Sequence, residues 1–221
     1  MALIEGLIER FTQRRSAAGT GAVRLTGLAS LAQADVEPQR FEMTRAGLRF
    51  DIAFGAVTGI APVQTIPTTA AQWFIYNPST DKSLVVEEVG AVLVSGTAGA
   101  GILVLGALTG PGTNPATLPT ANSAAIGAKS RSSGGSNPAK SSAAIVVASQ
   151  TLANNPTWRC LAMNDNANTA ILSVAAINDR VSGALIVPPG HGLALVVTSP
   201  AGTTPLYAPH LVWCEMTTDI E

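Results

Sequence analysis

From residue 46 onward the chain is a succession of short apolar runs, each cut by Gly, Pro or Asn, and no 3.6-residue pattern long enough for a helix lies between them. That punctuation is what most constrains the fold. Parallel strands need crossover connections of about a dozen residues or more, usually helical, so a chain without them pairs its strands antiparallel. The stretch "GLRFDIAFG" (47–55) has the period of a half-buried strand, with Leu48, Phe50, Ile52 and Phe54 on one face and Arg49, Asp51 and Ala53 on the other. Further strands are predicted at 72–77, 83–96, 101–108, 143–152, 157–164, 169–178, 184–188, 192–199 and 209–217. Many short strands with turn signals at regular spacing predict an all-β chain, an antiparallel β-sandwich or jelly roll.

Several of these runs, "ILVL" (102–105), "AAIVV" (143–147) and "LALVV" (193–197), are apolar on both faces. One face of each sheet in a sandwich normally meets water. Strands without alternation are therefore expected to be covered, by an arm of the chain or by another subunit, and a homo-oligomer is inferred. Residues 109–142 hold Gly, Pro, Asn, Ser and Thr in bulk and little to bury, so they read as one long loop. Its basic residues Lys129, Arg131 and Lys140 read as solvated loop charges.

Charge is sparse and uneven. Charged residues make up 12% of the chain, against about 25% in average soluble domains. Residues 1–51 hold 13 of the 27 charges, seven Arg and six Asp or Glu. Residues 2–15 carry Leu3, Ile4, Leu7, Ile8 and Phe11 at helical spacing, with Glu5, Glu9, Arg10 and Arg14 around them, and predict a short amphipathic helix. From there to residue 45 no period is sustained, and an extended arm is expected. The chain thus divides into a helix and arm (1–45) and a β-sandwich domain (46–221). A net charge of −1 lacks the basic footprint of a nucleic-acid binder. The start of the chain carries Glu5 and Glu9 inside its apolar run and no cleavage site, so it does not read as a signal peptide. No stretch has the apolar length of a membrane-spanning helix. Cys160 and Cys214 are then expected to be free, buried thiols.

Chemistry is hard to place. Nucleophilic hydrolysis needs a nucleophile, a base in reach and an orienting partner, and only His191 and His210 offer an imidazole. His191 sits in a Pro-Pro-Gly-His-Gly breaker, His210 follows Pro209, and no Gly-x-Ser-x-Gly elbow occurs. The two His and two Cys have no metal-ligand spacing. "GTAGAG" (96–101) lacks the Lys and the helix of a phosphate loop and reads as a hairpin turn, and "NDNAN" (164–168) reads as turn chemistry. Glu87 and Glu88 are adjacent, so on a regular strand they point to opposite faces. Trp73, Tyr76, Trp158, Tyr207 and Trp213 read as core or interface residues. The expectation is a chain with no catalytic residues, no cofactor and no metal.

Three stretches, "QWFIYNPSTDKSLVVEEV" (72–89), "LIVPPGHGLALVV" (185–197) and "HLVWCEM" (210–216), carry a resemblance. Together they are similar to the small β-sandwich structural proteins of tailed bacteriophages, in which an aromatic strand runs into an Asn-Pro-Ser turn, a Pro-Pro-Gly corner precedes a strand, and a final strand carries Trp-x-Glu. The resemblance implies a virion component assembled in the bacterial cytoplasm, foremost a capsid decoration or cement protein, commonly a trimer, whose N-terminal segment reaches across the major capsid protein. Leu3, Leu7, Arg10, Phe11, Arg14 and Arg15 would then be partner contacts. A head-fibre or tail-tip module that binds a host receptor or glycan is the alternative. Neither role involves a membrane.

Overall fold

Ten strands form among the described residues of the computed structural model, which are 43–44, 46–53, 59–97, 101–123, 130–131, 142–164, 176–200 and 204–217. The predicted helix over 2–15, the arm as far as Glu42 and the six proposed contact residues Leu3, Leu7, Arg10, Phe11, Arg14 and Arg15 lie outside them. The strands are β1 (Arg49–Ala53), β2 (Ala70–Tyr76), β3 (Lys82–Ser95), β4 (Ile102–Thr109), β5 (Ser130–Arg131), β6 (Ile145–Thr151), β7 (Arg159–Asn164), β8 (Ala176–Val187), β9 (Gly192–Thr198) and β10 (Leu206–Thr217). They make two five-stranded sheets in the orders β5-β1-β10-β3-β8 and β6-β2-β9-β4-β7. All the pairings between these strands are antiparallel, and one isolated parallel bridge joins Val63 to Thr198.

Four pairings are nested: β1 with β10, β2 with β9, β3 with β8 and β4 with β7. The two sheets share one core. Period-2 alternation aims Phe50 and Ile52 of β1, Leu84, Val86 and Val89 of β3, and Tyr207, Leu211 and Trp213 of β10 into it. From the other sheet come Trp73 and Ile75 of β2, Ile102 and Val104 of β4, and Leu193, Leu195 and Val197 of β9. Phe50 and Trp213 are register partners on neighbouring strands, and their rings stack at 6.0 Å between centroids. The indole N–H groups of Trp73 and Trp213 find no hydrogen-bond partner. These two side chains therefore stabilise through buried apolar area and shape.

A second, smaller cluster explains part of the missing alternation. Phe74 and Tyr76 of β2, Val147 of β6 and Ala194 of β9 face away from the main core, and Leu152 and Trp158 pack with them. The second apolar face of β9 and β6 is thus covered in part by the chain itself.

Two expectations about strands are corrected. The separate strands predicted at 169–178 and 184–188 are one element where they are described, because Gly183 adopts φ +79° inside β8 and the chain bulges instead of turning. The "GTAGAG" segment does not close a hairpin, because β3 and β4 belong to different sheets. β10 also begins earlier than predicted and carries Pro209 within it. Tyr207 N, on the β1 side of β10, bonds Ile60 O beyond the end of β1 at Ala53, and Pro209 N faces that same side, where no β1 ladder bond is lost.

Replacing Trp213 by Ala is expected to cost about 3–5 kcal/mol, with Trp213→Phe much milder because no indole hydrogen bond is lost; urea titration of both variants measures the difference. Burial pushes the Tyr207 phenol above its ordinary value of 10.0. The stability tied to it is whole below 10.0 and is lost as pH rises through the raised value. Tyr207→Phe, which removes that proton, is expected to flatten the alkaline fall of the denaturation midpoint.

Candidate functional site

The Asn-Pro-Ser turn and the Pro-Pro-Gly-His corner, far apart in sequence, meet at one end of the sheets. Asn77 is fully buried there. Its Nδ2 donates to Lys82 O at 2.8 Å and to Val187 O at 3.0 Å, and its Oδ1 accepts from Ser79 N at 3.2 Å. Its backbone adds two more bonds: Asn77 N donates to His191 O and Gly190 N donates to Asn77 O, both at 2.9 Å. The Ser79 hydroxyl donates to Asp81 Oδ1 and accepts from Lys82 N, which closes the turn into β3. Pro188 and Pro189 end β8 because neither has an N–H to donate, and Gly190 turns the chain with φ +72°.

The start of the long excursion from β4 to β6 docks on the same corner. Asn114 Nδ2 donates to Gly190 O at 2.8 Å, and Asn114 Oδ1 accepts from Thr109 Oγ1 at 2.7 Å. His191 Nδ1 stands 2.8 Å from Pro189 O, so it carries the ring proton there. The ring lies on Gly110, where a Cβ would come within 2.5 Å of its Cδ2. The surroundings of His191 are thus two backbone segments, and its contacts position a corner. His210 lies on β10, with its Nε2 3.5 Å from Glu88 Oε1. The structure does not bring the two histidines to one element.

The outer face of the β5-β1-β10-β3-β8 sheet holds the other polar cluster. Arg49 Nε donates to Glu87 Oε2 at 2.8 Å, and Cys214 Sγ donates to Glu87 Oε1 at 3.2 Å. Glu87 and Glu88 therefore serve the same face, contrary to the expectation from strand alternation. A register shift between Val86 and Glu88, on both sides of β3, supplies the extra residue that turns Glu87 outward. Neither Cys160 nor Cys214 is in a disulfide; Cys214 is buried as expected, whereas Cys160 is exposed because β7 is an edge strand.

Glu215, part of the Trp-x-Glu stretch, is a site residue that strand patterning did not single out. It points inward and is 3% exposed. Its Oε1 accepts from Ser142 Oγ at 2.5 Å and Ala143 N at 3.1 Å, and its Oε2 lies 3.7 Å from Lys82 Nζ. It ties the entry to β6, in one sheet, to β10 and β3 of the other. Of the aromatics, Trp73, Tyr207 and Trp213 are in the shared core and Tyr76 in the second cluster, with Trp158 packed against it.

A cavity of about 10 Å³ between the sheets, lined by Ile60, Trp73, Val104 and Val197 among others, is the size of a water molecule and has no room for an organic ligand. Among the described residues no group of three or more His, Cys, Asp and Glu is placed to hold a metal ion, and no helix is long and apolar enough to cross a membrane. Of "NDNAN" only Asn164 is described, and of the three loop cations only Arg131, in β5.

The polar corner makes a stability prediction. Asn77→Ala leaves two carbonyls without their donor and is expected to cost about 1–3 kcal/mol. Asn77→Asp is expected to cost more, because a carboxylate oxygen then faces both carbonyls; denaturant titration at neutral pH ranks the two. Comparison of the chain with family models, curated proteins and solved structures finds no match in any of the three.

Proposed function

We propose that this chain is a non-enzymatic structural protein of a bacteriophage virion, foremost a capsid decoration or cement protein, built as a jelly-roll sandwich with a charged N-terminal helix and arm. The observation that carries the reading is the nested pairing of β1 with β10, β2 with β9, β3 with β8 and β4 with β7. That order belongs to the jelly rolls common among viral shell proteins, and the link from fold to role is an analogy at the level of the fold. It is joined by the resemblance of residues 72–89, 185–197 and 210–216 to phage sandwich proteins. Those three stretches supply Asn77, the Pro-Pro-Gly corner and Glu215, which hold the two sheets together.

The sparse charge of the chain supports assembly with other virion proteins, and the major capsid protein is the partner proposed for the arm, through Leu3, Leu7, Arg10, Phe11, Arg14 and Arg15. Mixed-sign charge there favours specific pairing over general attraction. The chain is proposed to act in the virion after assembly in the host bacterial cytoplasm, as a homo-oligomer and without cofactor or metal. The second reading is a head-fibre or tail-tip module for a host receptor or glycan, with Trp158 half-buried on a segment whose Asn154 and Asn155 are exposed.

Mass spectrometry of gradient-purified particles from the source tests both. A copy number comparable with that of the major capsid protein is expected; a few copies per particle transfers the protein to the fibre or tail, and absence from particles overturns the virion role.

A further inference from the structure

We infer that residues 61–68 form a strap that opens on its own while the sandwich stays folded, with the Gln72 side chain as its catch. The pairing of β2 with β9 runs from Trp73 and Leu195 to Tyr76 and Gly192, although β2 starts at Ala70 and β9 continues to Thr198. The last residues of β9 are met instead by the strap, through the bridge from Val63 to Thr198. Both ends of the strap are fastened to other strands. Ile60 and Tyr207 of β10 exchange two backbone bonds at 2.7 and 2.9 Å, and Leu152 N, just past β6, donates to Thr69 O at 2.8 Å. These two fastenings are the hinges.

Between the hinges little holds the strap down. Its contact with β9 is a single parallel bridge, in which Val63 N donates to Val197 O and Ser199 N donates to Val63 O, both at 2.9 Å. Parallel pairing is slightly the weaker kind, and a bridge one residue long has no ladder around it. Gln72 supplies the third fastening: its Oε1 accepts from Val197 N at 2.7 Å, and its Nε2 donates to Ala61 O at 2.5 Å. One side chain of β2 thus ties β9 and the strap together. Apolar burial adds little, because Ala61, Gln64, Thr65, Ile66 and Thr68 are exposed, Ile66 by 62%, and Pro62 alone of the eight is buried. The cavity of about 10 Å³ lies at this joint, lined in part by Gln72, Trp73 and Val197, so close packing is also missing there. Few buried apolar contacts and solvent-exposed backbone bonds mark an element that opens well below the cost of global unfolding.

Native-state hydrogen exchange of the full chain at low denaturant concentrations tests the inference, because each part has its own reporter amide. Val63 and Ser199 report the bridge, Tyr207 and Leu152 the hinges, and Trp213 the β1-β10 ladder. Val63 and Ser199 are expected to exchange about a hundredfold faster than Trp213 or more, with little dependence on denaturant because little surface is uncovered. Gln72→Ala is expected to speed these two amides about tenfold further and to leave Tyr207, Leu152 and Trp213 unchanged. Circular dichroism confirms that the variant folds; if it does not, the wild-type exchange decides by itself. Exchange of Val63 and Ser199 only together with Trp213, through global unfolding, overturns the strap. Exchange of Tyr207 together with Val63 overturns the hinge at Ile60, since the opening is then a loosening of β10. Strap amides that Gln72→Ala leaves unchanged overturn the catch.

Discussion

The amide of Asn77 answers a problem that nested strand pairing creates. When β2 pairs with β9 and β3 pairs with β8, the β2-to-β3 and β8-to-β9 connections lie side by side as they cross from one sheet to the other. Both crossings take backbone carbonyls out of the ladders at a buried place, and a buried carbonyl without a donor is costly. One primary amide has two N–H donors and one carbonyl acceptor on a short stem, so it satisfies Lys82 O, Val187 O and Ser79 N at once. The neighbouring excursion from β4 uses the same device, with Asn114 reaching Gly190 O.

Glu215 does comparable work at another junction. The excursion between β4 and β7 adds a strand to the far edge of each sheet, β5 beside β1 and β6 beside β2. Its return into β6 has to be fastened to strands it does not pair with. A buried carboxylate on β10 accepts a hydroxyl and a backbone N–H from that return and draws on Lys82 for counter-charge. The excursion also blunts an exposed edge: Asn122 and Ser123 cap β6, whose Ser149 adopts φ +58°. An edge bent and capped in this way is a poor template for another strand.

Much of the fold was legible because burial of one sheet face imprints a two-residue period. The stretch around Phe50 and Ile52 alternates cleanly, and β1 falls inside its predicted bounds. What stayed hidden was whatever depends on an interruption of that period. Gly183 reads as a turn in isolation but lies in a bulge, and Glu87 leaves the alternation because β3 has an extra residue opposite β10 and β8. Burial on both faces likewise removes the alternation, so β9 carried no sign of whether a subunit or a distant segment covered it. Of the candidate site, the Pro-Pro-Gly-His corner was visible as a breaker. Its partner Asn77 lies 110 residues from Val187, and no local pattern announces so distant a contact.

The place of β10 bears on how the chain comes to be folded during synthesis. It is the tenth strand, yet it sits in the middle of its sheet, between β1 and β3, and joins them. Until a ribosome has released residues 206–217, β1 has no bridge to β3, and Phe50 and Leu84 wait without Trp213 and Leu211 beside them. Sheets dominated by such distant pairings close slowly, since loop-closure entropy must be overcome before contacts repay it. The opposite sheet can pair earlier, because β9 leaves the ribosome before β10 and lies between β2 and β4. A half-made chain would therefore expose one apolar sheet face, and its yield in the cell would depend on how quickly the final dozen strand residues follow.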